Sequence, residues 1–225
     1  MRHALITGAT RGIGRAIAEA LSPTYHLYIG GTAASSCEKV AAAYPHATPW
    51  PVNLTDLDAV TEAAAAIDEL DVLIHSAGIA PLGNVANTTS DHWREVFEVN
   101  VFAPVHLTQA LLPALRRSHG QVLTLNSGAG FHSMPGGAAY AASKFALRAF
   151  TDALREEERE HIRVISIHPG RVDTDMQVAM QNAGPDYDGT RYVDPASVAQ
   201  ACAFALSIGE DATVESLEIR PRFTH

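Results

Sequence analysis

Three glycines set between an apolar run and a helix-forming run constrain this chain more than any other feature. Ala4-Leu5-Ile6 has the apolar character of a buried strand, the turn Thr7-Gly8-Ala9-Thr10-Arg11-Gly12-Ile13-Gly14 follows, and residues 15–21 are good helix formers. The pattern predicts a strand, a tight turn and a helix, the opening unit of a layered α/β fold. Gly8 allows a sharp exit from the strand, Gly12 lets backbone approach a pyrophosphate, and Gly14 lets helix and strand pack closely. The exposed N–H groups and dipole at the helix start then favour an anion. The turn therefore reads as a dinucleotide cradle, with Thr10, Arg11 and Ile13 among its contacts.

The alternation of strand and helix continues along the chain. Further strands are expected over 26–29, 48–52, 71–75, 122–125, 162–167 and 214–219. Helices are expected over 35–44, from a cap at Thr55 and Asp56 to Asp68, from Asp91 to about Arg117 with Ser90 or Asp91 as cap, over 139–159, and from Asp194-Pro195 to Leu206. Glu156-Glu157-Glu158-Arg159-Glu160 reads as a solvated helix end. Residues 175–193, with Met176, Met180, Pro185, Tyr187, Gly189 and Tyr192, show little periodicity and read as a mobile lid. One α/β domain accounts for all 225 residues, and a 47% hydrophobic content suffices for its core.

Composition excludes several function classes. A net charge of −9 argues against nucleic acid, which needs a basic face. The 11 histidines form no pattern with ligand spacing, so no metal is expected. No apolar run approaches the roughly 20 residues of a membrane span, and Met1-Arg2-His3 shows no signal-peptide pattern, so a cytoplasmic protein is expected. Cys37 and Cys202 each fall in an expected helix, and a reducing compartment without a disulfide is the default.

The chemistry concentrates between residues 127 and 144. Tyr140 and Lys144, four apart in an Ala-rich helix, lie one turn apart on one face. A cation there would lower the phenol's pKa by roughly 1–3 units and fit it for proton exchange with a substrate oxygen. Ser127, at the end of the 122–125 strand, would offer a hydroxyl to the same oxygen. A lone Tyr-x-x-x-Lys is common on amphipathic helices; the serine 13 residues upstream and the glycine cradle give this one its weight. Asn100 stands inside the 91–117 helix, and Pro104, which has no N–H, leaves its carbonyl free to hold a water.

Other strand ends supply cofactor contacts. The second strand runs into Gly30-Gly31-Thr32 without the acidic residue that would hold a ribose 2′-hydroxyl. Arg11, Thr32, Ser35 and Ser36 suit a 2′-phosphate instead, so NADP(H) is expected over NAD(H). Asn53, followed by Leu54, would reach an adenine edge or serve merely as a turn residue. Ser76-Ala77-Gly78 allows close backbone approach, and His75 reads as a locally bonded strand-end residue. His168-Pro169-Gly170 and the residues to Thr174 form another ligand-side turn. Phe131, His132, Met134, Met176 and Tyr187 are the expected walls of a mostly apolar substrate pocket.

In order along the chain, Thr7-Gly-x-x-x-Gly-Ile-Gly14, Asn100, Ser127, Tyr140-x-x-x-Lys144 and Pro169-Gly170 resemble the short-chain dehydrogenase/reductase family. The resemblance implies a single-domain, Rossmann-type, doubly wound parallel sheet of seven strands, ordered 3-2-1-4-5-6-7. It implies that Tyr140 is the general acid or base, Ser127 orients the carbonyl and Asn100 holds a relay water. Lys144 would bind the nicotinamide ribose and lower the Tyr140 pKa; Val172 and Thr174 would contact the nicotinamide. His75-Ser76 stands where many members have Asn-Asn, Asn53 replaces a common aspartate, and the 218–223 tail lacks a Gly-rich end.

The expected function is NADP(H)-dependent interconversion of a small carbonyl compound and its alcohol. A non-catalytic NADP(H)-binding redox sensor, or an epimerase or dehydratase with the same Tyr-x-x-x-Lys, remain alternatives. The apolar sides of the 91–117 and 139–159 helices suit a homodimer or homotetramer.

Overall fold

The computed structural model describes residues 1–181 and 187–222. Its central strands are buried along nearly their whole length because helices cover both faces of the sheet, whereas the two edge strands are partly exposed. They are β1 (Arg2–Ile6), β2 (Tyr25–Gly31), β3 (Ala47–Pro51), β4 (Val72–His75), β5 (Gln121–Leu125), β6 (Arg163–Pro169) and β7 (Ser216–Ile219). All pairings are parallel, in the expected order β3-β2-β1-β4-β5-β6-β7.

The helices are α1 (Gly12–Leu21), α2 (Ala34–Ala41), α3 (Leu57–Ala65), α4 (Ser90–Phe97), α5 (Ala103–Arg117), α6 (Ala138–Glu157), α7 (Asp175–Met180) and α8 (Pro195–Ser207). Neighbouring strand residues point to opposite faces, and the two cores divide accordingly. Ile6, Ile74, Leu123 and Ile167 meet Ile17 of α1 and Val198 of α8. Leu5, Leu73, Val122 and Val164 meet Val60 of α3, Leu107 and Leu111 of α5 and Leu154 of α6. Full burial of each such leucine, isoleucine or valine contributes about 1.5–3 kcal/mol, which is what fixes the strand register.

Several local expectations are corrected. α1 begins at Gly12, so two of the three glycines lie in its first turn. Thr89, not Ser90 or Asp91, caps α4: its side chain accepts from His92 N–H at 3.2 Å. The expected 91–117 helix is divided by a π turn at Glu98–Phe102. Pro104 explains the break, since the Asn100 carbonyl has no N–H four residues on and an unbroken α ladder cannot pass. Glu158 is not solvated; it is 6% exposed and paired with Arg116, which holds its carboxyl below the usual range. Residues 175–193 contain α7 and a short 3₁₀ turn, Gly189–Arg191, while Pro185 lies outside the described residues. Asp56 and Asp194 cap α3 and α8 as expected.

The strand order turns back on either side of β1, so the chain leaves β1 and β4 in opposite directions at their carboxyl ends and opens a crevice between them. Cys37 and Cys202 are free and buried. Among the described residues no helix is long and apolar enough to cross a membrane, and no group of three metal-ligating side chains forms.

Candidate active site

Two adjoining cavities occupy this crevice. The first, about 350 Å³, is lined by Gly8, Thr10, Arg11, Gly12, Ile13, Gly14, Thr32, Asn53, Leu54, Ala77, Gly78 and Thr174, with Thr7, Ser76, Val99 and Asp175 among the others. The second, about 380 Å³, is lined by Ser127, Tyr140, Lys144, Pro169, Gly170 and Val172, and shares Ile13, Ala77, Gly78, Thr174 and Met176 with the first. The shared residues make one continuous cleft of a size and length that suits an extended dinucleotide.

The cradle is held by Thr7, whose role the sequence reading missed. Its Oγ1 donates to the Ile74 carbonyl and accepts the Ser76 and Ala77 N–H groups, both at 3.1 Å, clasping the ends of β1 and β4 together. Gly8 has φ of +65°, and a Cβ on it would lie 2.9 Å from the Ala77 Cα. Only a glycine backbone passes there, and the space kept clear is the floor of the first cavity. Asn53 lines the cavity while its Oδ1 accepts from the Thr55 N–H and hydroxyl. Arg11 caps α1 and lies 3.8 Å from Asp175, both side chains exposed, so the pair is easily exchanged. Thr32 lines the cavity, whereas Ser35 and Ser36 sit exposed on α2 outside its lining.

At the other end, β5 delivers Ser127 and α6 delivers Tyr140 and Lys144 to the second cavity. Ser127 Oγ accepts from Ala129 N–H at 3.1 Å, which leaves its hydroxyl hydrogen available to donate. Lys144 is 5% exposed, donates from Nζ to the Leu125 carbonyl at 2.8 Å, and lies 5.9 Å from the Tyr140 ring centre. Asn100 does not line the second cavity. Its side chain bonds both backbone groups of Ile79 and the Ser143 hydroxyl, which in turn donates to the Tyr140 carbonyl. Asn100 thus ties the floor of the first cavity to the helix that carries Tyr140.

A family model described as short chain dehydrogenase matches residues 2–184. The chain belongs to this family. A mouse relative, dehydrogenase/reductase SDR family member 7B, is 36% identical over 203 residues, covering 84% of this chain and 62% of the relative. An NADPH-dependent 3-dehydrocapnine reductase of Ornithobacterium rhinotracheale is 34% identical over 207 residues, covering 85% and 73%. Among solved structures, an alcohol dehydrogenase of Thermococcus sibiricus complexed with 5-hydroxy-NADP superposes with a TM-score of 0.91 at 27% identity, covering 100% and 98%. The chain thus spans less than two thirds of the mouse relative's length.

For this dehydrogenase-family site, burial reverses one electrostatic expectation. The Tyr140 pKa is raised, chiefly by desolvation, with the Ser127 hydroxyl opposing and no contribution from Lys144. Lys144 is itself weakened as a cation: burial lowers its pKa to about 8. The Lys144 ammonium donates to the Leu125 carbonyl, and loss of water around the phenol is the larger effect on Tyr140. His75 is neutral, its pKa lowered to about 3 by burial and by Lys144, with Nε2 2.8 Å from the Thr108 hydroxyl. His132, Met134 and Met176 line the second cavity as expected. Phe131 and Tyr187 do not: Phe131 packs on the His168 ring at 4.5 Å, and Tyr187 donates to Asp173 at 2.8 Å. His168 was read only as part of a turn. Its Nδ1 lies 3.3 Å from the Ser127 carbonyl and its Nε2 2.9 Å from the Ser166 hydroxyl, so it steadies the backbone that carries Ser127.

The buried lysine gives a stability test. Its folded pKa, about 8, lies below the ordinary lysine value of 10.5, so between those values the unfolded chain holds a proton that the folded one has released. Stability therefore rises with pH across that window, by up to about 1.4 kcal/mol per pH unit, and the burial cost is fully present below it. Thermal unfolding of wild type and Lys144→Met, compared from neutral pH to pH ~10, is expected to show wild type gaining on the variant as pH rises. A constant difference would mean that Lys144 is not desolvated.

Proposed function

We propose that this protein is an NADP(H)-dependent oxidoreductase that interconverts a small carbonyl compound and its alcohol. The observation that carries the reading is the convergence of Ser127, Tyr140 and Lys144 on one cavity that runs into the glycine cradle. NADP(H) would be held by Gly8, Thr10, Gly12, Ile13, Gly14, Ala77, Gly78, Asn53 and Leu54, with Pro169, Gly170, Val172 and Thr174 at the nicotinamide end; bound there, it supplies or accepts the hydride. Ser127 donates a hydrogen bond to the substrate carbonyl oxygen. Tyr140 gives its proton to the same oxygen as the alkoxide forms, and the raised pKa suits a group that must stay protonated until then. Lys144 has donors left for the ribose, and the Asn100 carbonyl is the candidate holder of a relay water.

The NADP(H) preference rests on Arg11, Thr32 and the lack of a carboxylate at the end of β2. In the free chain Asp175 is the neighbour of Arg11; a 2′-phosphate would replace it with a charge-assisted, bidentate contact. Fluorescence titration is expected to give NADPH binding about tenfold or more tighter than NADH, a ratio that Arg11→Ala reduces to about threefold. Tighter NADH binding would overturn the preference and leave the enzyme. Binding of NADPH without its oxidation by any of a panel of aldehydes and ketones, neutral and anionic, would favour the redox-sensor reading instead.

The remaining features follow this reading. The described parts of the expected lid, 175–181 and 187–193, are tied together by Tyr192, which is bonded to Gln181 and stacked on Tyr187. Phe102, at the end of the π turn, and Phe145 on α6 are large apolar side chains exposed at 52% and 45%, suited to cover by a second copy of the chain. The free buried cysteines suit a reducing cytoplasm.

A further inference from the structure

We infer that the carbonyl substrate carries a carboxylate, bound by Arg171 at the rim of the second cavity. This rests on the oxidoreductase reading above and adds the substrate's class. Arg171 follows Gly170 directly and lines the cavity together with Ser127 and Tyr140. Its backbone is fixed from both sides, since Gly170 N–H donates to Ile219 at 2.7 Å and the Arg171 carbonyl accepts from Val193 at 3.0 Å. Its guanidinium, by contrast, has no hydrogen bond or ion pair among the described residues. Other arginines around the site are engaged: Arg11 with Asp175, Arg148 with Asp152, and Arg220 with Glu218 and the His168 carbonyl.

The charge balance of the cavity points the same way. The chain has a net charge of −9, yet no aspartate or glutamate is among the described residues lining this cavity. The nearest carboxylate along the chain, Asp173, is occupied by the Tyr187 hydroxyl. Leu82, Met134, Met176 and Met180 supply apolar wall to the same cavity. An exposed guanidinium without a partner among the described residues, at the rim of a largely apolar cavity, is complementary to an oxo acid. The carbonyl would sit at Ser127 and Tyr140, a short aliphatic stretch would lie on the methionines, and the carboxylate would meet the planar fork of Arg171. The planar guanidinium matches a single carboxylate in a bidentate contact.

Levulinate, its uncharged methyl ester and hydroxyacetone phosphate are suitable probes. Wild type with NADPH is expected to reduce levulinate with a kcat/KM about tenfold or more above that of the ester, the difference lying mostly in KM. In Arg171→Gln the acid-to-ester ratio is expected to fall at least about tenfold, and Arg171→Lys to restore part of it, a pattern that a merely structural role would not produce. Calorimetric titration of the NADP⁺ complex with levulinate is expected to show the same dependence on residue 171. An unchanged ratio in Arg171→Gln, absence of levulinate binding, or a preference for the phosphate would each overturn the carboxylate assignment. NADPH-dependent reduction of any carbonyl compound, neutral, phosphorylated or carboxylated, would in those cases leave the oxidoreductase reading standing, and absence of reduction of all of them would fail that reading separately.

Discussion

Tyr140→Phe is expected to lower kcat for carbonyl reduction by about 10³-fold or more while NADPH affinity stays within about threefold, because proton transfer by a positioned group is worth roughly 10²–10⁴. The substitution removes one oxygen and keeps the ring that packs beside Lys144, 5.9 Å from its ammonium. The hydroxyl's neighbour is the Ser127 side chain, which keeps its bond from Ala129, so no buried group is left without a partner. The loss should therefore appear in kcat and not in folding: unfolding stability is expected to change by less than about 1 kcal/mol. The pH profile provides a second check. Burial holds the phenol above its ordinary range, so reduction is expected to persist through neutral pH and to fall only in strongly alkaline solution. Near-normal turnover in Tyr140→Phe would sink the proposed chemistry.

What was legible in the sequence divides along physical lines. The sheet could be read because β4 and β5 are buried on both faces and are mostly apolar, and because each is followed by small or polar residues. Ser127, Tyr140 and Lys144 could be read because their spacing, on a strand end and one helix turn, is local. Effects that depend on distant contacts were not legible. The Thr7 clasp joins residues 69 and 70 apart, and the Asn100 brace joins residues 21 and 43 apart. The rise of the Tyr140 pKa comes from burial under the assembled fold, which the spacing of Tyr140 and Lys144 does not encode. Glu158 looked solvated because its neighbours are charged, but the partner that buries it, Arg116, belongs to α5. The π turn was half legible: Pro104 signalled a carbonyl without a donor, and the chain answers by inserting one residue into the helix.

The glycines of the cradle separate two kinds of constraint, and substitution at two of them is expected to differ accordingly. Gly14 has an ordinary helical backbone, but a Cβ on it would lie 2.3 Å from the Gly8 carbonyl oxygen and 2.8 Å from its carbon. Those are backbone atoms of a turn that the Ala9 N–H bond to Gly30 and the Thr7 clasp hold in place, so the helix must move away from the sheet. Gly14→Ala is expected to cost about 2–4 kcal/mol of stability, at and beyond the upper range of overpacking. Because displacement of α1 carries its N–H groups away from the first cavity, NADPH affinity should fall by about 100-fold or more. Gly12 has the opposite problem. Its nearest neighbour would be a Thr174 methyl at an unstrained 3.5 Å, but its φ is +54°. Gly12→Ala therefore meets no clash within the chain, and its cost to stability is only the left-handed backbone penalty of about 1–2 kcal/mol. Denaturant unfolding of both variants checks the order, and NADPH titration checks the affinity of Gly14→Ala. If Gly12→Ala were the more destabilising of the two, close packing of α1 against the β1 exit would not be what confines residue 14 to glycine.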